Sequence, residues 1–145
     1  MKIRIIIIAV FSCMLSLQAA SQNSVDGILD HFFELYGEEK TDESVDYIFE
    51  TNQYLLTAQQ QIISIKEKLK TITSLIGQYY GYDKVIQKEA GSSYVLVRCI
   101  VRHDRQPLFF TFVFYKPDQK WQLLTVRFDD KLDDEEMREL KNVIQ

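Results

Sequence analysis

A group of polar side chains just after the longest predicted helix could carry out acid–base chemistry. Tyr79, Tyr80, Tyr82 and Asp83 lie close together in the sequence. A tyrosine hydroxyl can donate a proton and an aspartate carboxylate can accept one, so the group could line a pocket that works without a cofactor. The same residues fit aromatic packing at a helix-to-strand corner, with Asp83 in a turn, and we favour this interpretation. We therefore assign no catalytic residue.

The two histidines and the acidic residues near the C-terminus match no recognised metal or catalytic motif. His31 lies in a predicted helix and His103 in a predicted turn, and no cysteine or acid stands at a metal-ligand spacing from either. His103 and Asp104 are adjacent in the sequence, but adjacency alone does not place a general base within hydrogen-bonding geometry of the group that orients it. The acids between Asp129 and Glu136 lack the spacing of a calcium loop. We predict neither a metal nor a cofactor.

Three segments rich in β-branched and aromatic residues predict antiparallel strands within residues 93–129, namely SYVLVRCIVR, PLFFTFVFYK and WQLLTVRF. We pair Val101 with Leu108 and Tyr115 with Trp121, because a wrong register would mix buried and exposed side chains. This register predicts an apolar face made of Val95, Val97, Cys99, Val101, Leu108, Phe110, Phe112, Phe114, Leu124, Val126 and Phe128. We expect the helices to cover that face.

The opposite face of the predicted sheet combines aromatic rings with guanidinium groups, which are enriched at protein interfaces. Its candidate binding residues are Tyr94, Arg98, Tyr115, Trp121 and Arg127. Exposed apolar surface of this extent is usually covered. We predict that a second copy of the chain, or another exported protein, covers it. The alternative is that the C-terminal helix or loops of the same chain do so.

Apolar residues at helical spacing predict two helices at the start of the mature chain. Ser24 precedes the first, which stops at Gly37, a residue favoured as a left-handed terminator. The second covers about residues 43–50, with Thr41 or Asp42 as its cap.

A longer third helix is predicted over about residues 58–76, followed by an edge strand over about 82–88 with a bend at Gly81. After the strands, Asp133 and Glu136 have the spacing of a capping box, which predicts a short C-terminal helix. Helices followed by a run of strands define an α+β fold. We expect N-terminal helices packed on an antiparallel sheet of about four strands.

The first 21 residues have the charged start, apolar centre and small-residue exit of a secretory signal peptide. The apolar run is short for a membrane span, which needs about 20 residues. A second interpretation makes Cys13 a lipidated cysteine, but we favour a soluble exported protein, periplasmic or extracellular. The predicted organisation is therefore a signal peptide over 1–21 and one domain over 22–145.

The predicted mature chain is acidic and has one cysteine. Removing residues 1–21 leaves 124 residues, and it removes two of the 17 basic side chains, Lys2 and Arg4. Fifteen basic and 21 acidic side chains remain, so the net charge becomes −6. Such a surface argues against nucleic acid or anionic lipid as a partner. Cys99 remains without a cysteine to pair with, which predicts a buried, inert thiol.

The order of a helix, a short helix, a longer helix ending in LIGQYYGYDKV and the block RQPLFFTFVFYKPDQKWQLLTVRFDD resembles small exported proteins of the nuclear transport factor 2-like superfamily. The similarity covers about Val25 to Asp130, and FVFYKPDQKWQL is its most recognisable part. The resemblance implies a cone, in which a curved sheet wraps around helices and often leaves a pocket, and pairing through sheet faces. Some members, such as ketosteroid isomerase, are cofactor-free enzymes, but no catalytic residue transfers to this chain.

We expect an exported, non-enzymatic domain that binds, as a homodimer or with another exported protein, with a small apolar ligand in the cone. The alternative is a cofactor-free lyase or isomerase that acts on a small apolar substrate in that pocket. The two differ in one structural requirement: the enzyme needs a tyrosine or histidine within hydrogen-bond reach of a carboxylate in the pocket.

The signal peptide gives a direct prediction. Mass spectrometry of the protein purified from its own envelope should give a chain that begins at Gln22, because Ala19, Ala20 and Ser21 form the small-residue exit. A chain that begins at Met1, or at Cys13 carrying lipid, would contradict it.

Overall fold

A computed structural model describes residues 24–144, and its first element is helix α1, Val25–Gly37. The predicted signal peptide and Cys13 lie outside these residues. Ser24, which precedes α1, caps it, because its side-chain oxygen accepts a 3.0 Å hydrogen bond from the Gly27 backbone N–H. Termination at Gly37 by a left-handed residue is wrong, since Gly37 is still helical and Glu39 has the positive φ of 63°.

Helices α2, Thr41–Glu50, and α3, Gln59–Ile76, follow, joined by a 3-10 turn at Leu55–Thr57. The predicted cap of α2 is wrong, because Lys40 occupies the cap position without a side-chain hydrogen bond. The apolar spacing of the two helices predicts eight inward residues, of which six are buried and two, Ile65 and Ile72, are partly buried against the core. The six buried ones are Val45, Ile48, Phe49, Ile62, Leu69 and Ile76. The helical spacing therefore identified the packed sides of α2 and α3.

The four strands form one antiparallel sheet in the order β1-β2-β3-β4, which confirms the predicted strand number. They are β1 Tyr79–Ala90, β2 Tyr94–His103, β3 Leu108–Tyr115 and β4 Gln122–Asp129. β1 is longer than predicted at both ends. Its pairing with β2 shifts at Gly81, where a bend was predicted, and again between Lys84 and Ile86. Both irregularities occur on an edge strand, where bulges are common.

The predicted register of the β2–β3 hairpin is confirmed for every pair from Tyr94 with Tyr115 to Val101 with Leu108. The predicted β3–β4 register is wrong. Tyr115 pairs with Gln122 rather than Trp121, a displacement of one residue. A bulge farther along β4 displaces the remaining pairs by one more residue, so that Phe110 pairs with Phe128. Val126 and Phe128 keep their predicted face, because a two-residue displacement preserves the alternation of side chains.

The bulge in β4 exchanges the predicted positions of two leucines. Leu123 is fully buried, whereas Leu124, the extra residue of the bulge, is 41% exposed. The loop after α2 holds the backbone of Leu123: its N–H donates to Thr51 Oγ1 at 3.0 Å, and its carbonyl accepts from Asn52 Nδ2 at 2.7 Å. These hydrogen bonds give partners to the backbone N–H and carbonyl of Leu123 at the edge of the sheet. No pattern in the sequence of β4 predicts them.

The core lies between α1 and the inner face, defined here as the sheet face toward α1, α2 and α3. Phe32 and Phe33 of α1 contact the rings of Phe110 and Phe112 at centroid distances between 5.5 and 6.0 Å, all tilted edge to face. The four side chains are at most 1% exposed. Edge-to-face geometry adds about 1 kcal/mol per pair to the effect of burial.

Helix α4, Asp134–Ile144, lies against the other side of the sheet, called the outer face below. The predicted capping box is confirmed, since Asp133 Oδ1 accepts from the Glu136 N–H at 2.7 Å and Glu136 Oε2 accepts from the Asp133 N–H at 3.0 Å. The α+β class, with N-terminal helices on a curved four-stranded antiparallel sheet and a short C-terminal helix, is confirmed. This arrangement is consistent with a cone-like fold.

The inner aromatic packing predicts a large loss of stability for Phe112→Ala. The substitution should lower the free energy of unfolding by about 4 kcal/mol, because it opens a cavity beneath α1. Denaturant titration measures this change. Phe109→Ala is the matched control, since Phe109 is only partly buried on the outer face, and less than half of that loss is expected. Equal losses would contradict the assignment of the two faces.

Candidate functional site

Tyr94 and Tyr115, two of the five predicted binding residues, are paired neighbours on the outer face. Their side chains are 40% and 39% exposed. Leu124 of the β4 bulge adds an exposed aliphatic group near the same end of the sheet. We call Tyr94, Tyr115 and Leu124 the outer patch.

Arg98 and Arg127 lie in one row of the outer face, because Thr111 of β3 pairs with both of them. Arg98 is only 6% exposed, since α4 covers it. Its guanidinium donates to Glu136 Oε1 and Glu139 Oε2, each at 3.1 Å, and Arg127 also donates to Glu136. The C-terminal helix therefore covers this part of the face within one chain, which is the alternative given above.

Trp121 does not join the other four predicted binding residues. It precedes β4 and packs against the core on the helix side, where it lines an open cleft of about 590 Å³ with Ile28 and Tyr47. The Lys116 ammonium lies 4.9 Å from the centroid of its ring, at cation–π distance. The displaced register explains this position, because Gln122 takes the place beside Tyr115.

A second cleft, about 670 Å³ in volume, opens between the end of α1, the start of α2, the end of α3 and the start of β1, and we call it the Tyr36 cleft. It is lined by Tyr36, Gly37, Glu39, Thr41, Lys70, Thr73, Ser74, Gly77, Gln78, Tyr79 and His103. The Tyr36 hydroxyl and His103 Nε2 are 2.9 Å apart, and His103 Nδ1 lies 2.9 Å from the Gly77 carbonyl. His103 is thus the last residue of β2, held at the cleft, and not a turn residue.

Sequence reasoning missed the pairing of Tyr36 with His103, which stand 67 positions apart. Burial, and then the neighbouring Tyr79, raises the pKa of Tyr36 above its ordinary value, so its hydroxyl stays protonated. Burial likewise raises the pKa of Tyr79. Gly37 permits this packing, because a Cβ there would lie 2.6 Å from the Tyr79 ring. No local signal in the sequence links these positions.

The predicted tyrosine and aspartate group is dispersed in the structure. Only Tyr79 reaches the Tyr36 cleft, whereas Tyr80 donates to Asp104 at 2.5 Å and Tyr82 donates to Asp30 at 2.5 Å. The Tyr80 hydrogen bond, followed by that from the Gln78 N–H, lowers the pKa of Asp104. Burial, and then the Asp30 hydrogen bond, raises the pKa of Tyr82.

The remaining members of the candidate sets have structural surroundings. Asp83 is exposed and pairs with Arg102 at 3.3 Å. His31 lies on α1, 2.9 Å from Glu34, with its ring against Tyr47. Cys99 is fully buried on the inner face, and burial raises the pKa of its thiol to about 12, so it is protonated and unreactive at neutral pH.

Within residues 24–144, no group of three or more histidine, cysteine, aspartate or glutamate side chains could hold a metal ion. None of the helices in that range is both long and apolar enough to cross a membrane. Comparisons of the chain with protein-family models, with curated proteins and with solved structures give no match. The outer patch and the Tyr36 cleft are therefore the two features from which we infer function.

The ion pairs of Glu136 predict that this residue holds α4 on the sheet. Glu136→Ala should lower the free energy of unfolding by about 2 kcal/mol, because it removes a buried, charge-assisted partner of Arg98. Hydrogen exchange of the α4 amides should become faster. Glu135→Ala, in the same helical turn but exposed, is the control and should change the free energy by less than about 1 kcal/mol. Equal effects of the two substitutions would contradict the assignment.

Proposed function

We propose that the chain is an exported, non-enzymatic interaction domain that pairs with a second copy of itself through the outer patch. The observation that carries the proposal is the exposure of Tyr94 and Tyr115 on the side of the sheet opposite the filled core, together with that of Leu124 in the β4 bulge, each about two-fifths. Tyrosine is enriched at interfaces, because it buries a large rigid ring at a small cost in side-chain entropy. Export is supported by the sequence of residues 1–21.

The geometry limits which predicted interface residues can take part. Arg98 already has Glu136 and Glu139 as partners beneath α4, so it is not available to a second copy. Arg127 keeps a 56% exposed side chain at the border between α4 and the open part of the sheet. We therefore assign the contact to the outer patch with Arg127 at its rim, and we leave Trp121 out of it.

Substitution of Tyr115 tests the proposal. In a two-fold interface each residue occurs twice, so Tyr115→Ser should weaken dimerisation about 100-fold, which corresponds to about 1.4 kcal/mol per copy. Sedimentation equilibrium over a range of protein concentrations measures the dimer dissociation constant. Circular dichroism should show an unchanged fold.

Tyr80→Ser is the matched control, because Tyr80 is 55% exposed at the start of β1, at the end of the sheet opposite Tyr94. It should leave the dissociation constant unchanged. A wild-type protein that stays monomeric at about 100 μM would exclude self-association of useful strength. If the wild-type protein is monomeric, an interaction role would still be supported when one defined exported protein binds through Tyr94 and Tyr115.

The second candidate, a cofactor-free lyase or isomerase, is supported by one observation, the Tyr36–His103 pair at a cleft. The carboxylate that lines this cleft is Glu39, and the hydrogen bonds of Tyr36 and His103 go to each other and to Gly77. The requirement for a tyrosine or histidine bonded to a carboxylate is therefore not met there. The apolar interior is filled by phenylalanine rings, so a substrate would have to sit in the cleft.

A further inference from the structure

Of the five hydroxyl-bearing residues that line the Tyr36 cleft, Tyr36, Thr73 and Ser74 each donate the hydroxyl proton to the protein itself; the other two are Thr41 and Tyr79. The carbonyl oxygen of Gly77 can only accept, so the proton on the His103 ring lies on Nδ1. In the neutral ring Nε2 is then an acceptor, and the Tyr36 hydroxyl must be the donor of their 2.9 Å hydrogen bond. The Tyr36 oxygen therefore presents lone pairs to a ligand.

Two hydroxyl groups on α3 behave in the same way. Thr73 Oγ1 donates to the Lys70 carbonyl at 3.0 Å, and Ser74 Oγ donates to the Thr71 carbonyl at 2.8 Å. A backbone carbonyl has no proton to donate. Thr73 Oγ1 and Ser74 Oγ can therefore still accept a hydrogen bond from a ligand. These two hydroxyl groups of α3 thus accept hydrogen bonds from a ligand rather than donating them.

The charges and rings around the cleft favour the same kind of ligand. Glu39 contributes a carboxylate at the bend after α1. The ammonium of Lys70 is neutralised by Asp42 at 2.6 Å, and the other carboxylate oxygen of Asp42 is buried with no hydrogen-bond partner in the described part of the chain. The rings of Tyr36 and Tyr79 lie 5.4 Å apart at the cleft, and aromatic rings attract cations.

We propose that the Tyr36 cleft binds a small organic ammonium compound, whose N–H groups donate to the Tyr36 and Thr73 oxygens and to the Glu39 carboxylate. A cation with several donors complements the acceptor oxygens of Tyr36, Thr73 and Ser74, the Glu39 carboxylate and the aromatic rings at once. An anion would meet these lone pairs and the Glu39 carboxylate, while the Lys70 ammonium is paired with Asp42. This site is separate from the outer patch, so it does not depend on self-association.

The charge of the ligand is tested with two probes that share a skeleton, phenethylamine and phenylacetate. Each is titrated into the isotope-labelled protein while backbone amide resonances are followed by nuclear magnetic resonance. Phenethylamine should bind at least about tenfold more tightly than phenylacetate, with the largest shifts at Gly37, Gly77 and Gln78. Equal or tighter binding of phenylacetate would overturn the proposal, as would shifts centred on the Trp121 cleft or no shift with about 10 mM phenethylamine.

Two substitutions with matched controls test the site itself. Thr73→Val keeps the side-chain shape and should weaken phenethylamine binding about fivefold, whereas Thr71→Val, on the same helix and outside the cleft, should not. Glu39→Gln should weaken it about tenfold, whereas Glu38→Gln, which pairs with Lys40, should leave it unchanged. Wild-type affinity in both Thr73→Val and Glu39→Gln would show that the amine binds elsewhere and would overturn the assignment.

Discussion

The edge-to-face packing of Phe32 and Phe33 on Phe110 and Phe112 is the constraint on which the rest of this structure depends. The inner face of β2 and β3 is almost entirely apolar, so it must be removed from water, and α1 presents a stripe of matching width. Once α1 is seated, its C-terminal turn is brought to the start of β1 and the end of β2. The Tyr36 cleft is a consequence of that placement, because Tyr36 belongs to the same helical stripe as the core phenylalanines.

On the outer face, charged side chains fix the position of α4. The observed β3–β4 register sets Arg98 and Arg127 on either side of Thr111, which brings two guanidinium groups of like charge into one row. Glu136 binds both and also closes the capping box of α4, so one carboxylate begins the helix and attaches it to the sheet. A buried arginine without that carboxylate would be costly. The aromatic end of the face stays open because α4 is held at the arginine row.

On both faces of the sheet, the features that depend on nearby residues could be predicted from the sequence. The β2–β3 register followed from a short connection and from the alternation of apolar residues, since one wrong step would have put phenylalanines into water. The capping box at Asp133 and the burial of Cys99 were also predictable, because each depends on neighbours within a few positions or on the same strand. The β3–β4 register was not, because the bulge at Leu124 is held by Thr51 and Asn52, 71 or more positions from Leu123.

The sequence by itself determined the α+β class, the strand number, the inner face of β2 and β3 and the helices that cover it, because periodicity and turn chemistry are local properties. Only the tertiary structure decided that Arg98 lies beneath α4, that Trp121 turns toward the helices and that Tyr36 bonds to His103. Each of these depends on side chains that meet from distant parts of the chain. Hydrogen bonds and ion pairs require such atoms within about 3 Å of each other, a condition that no spacing along the sequence can specify.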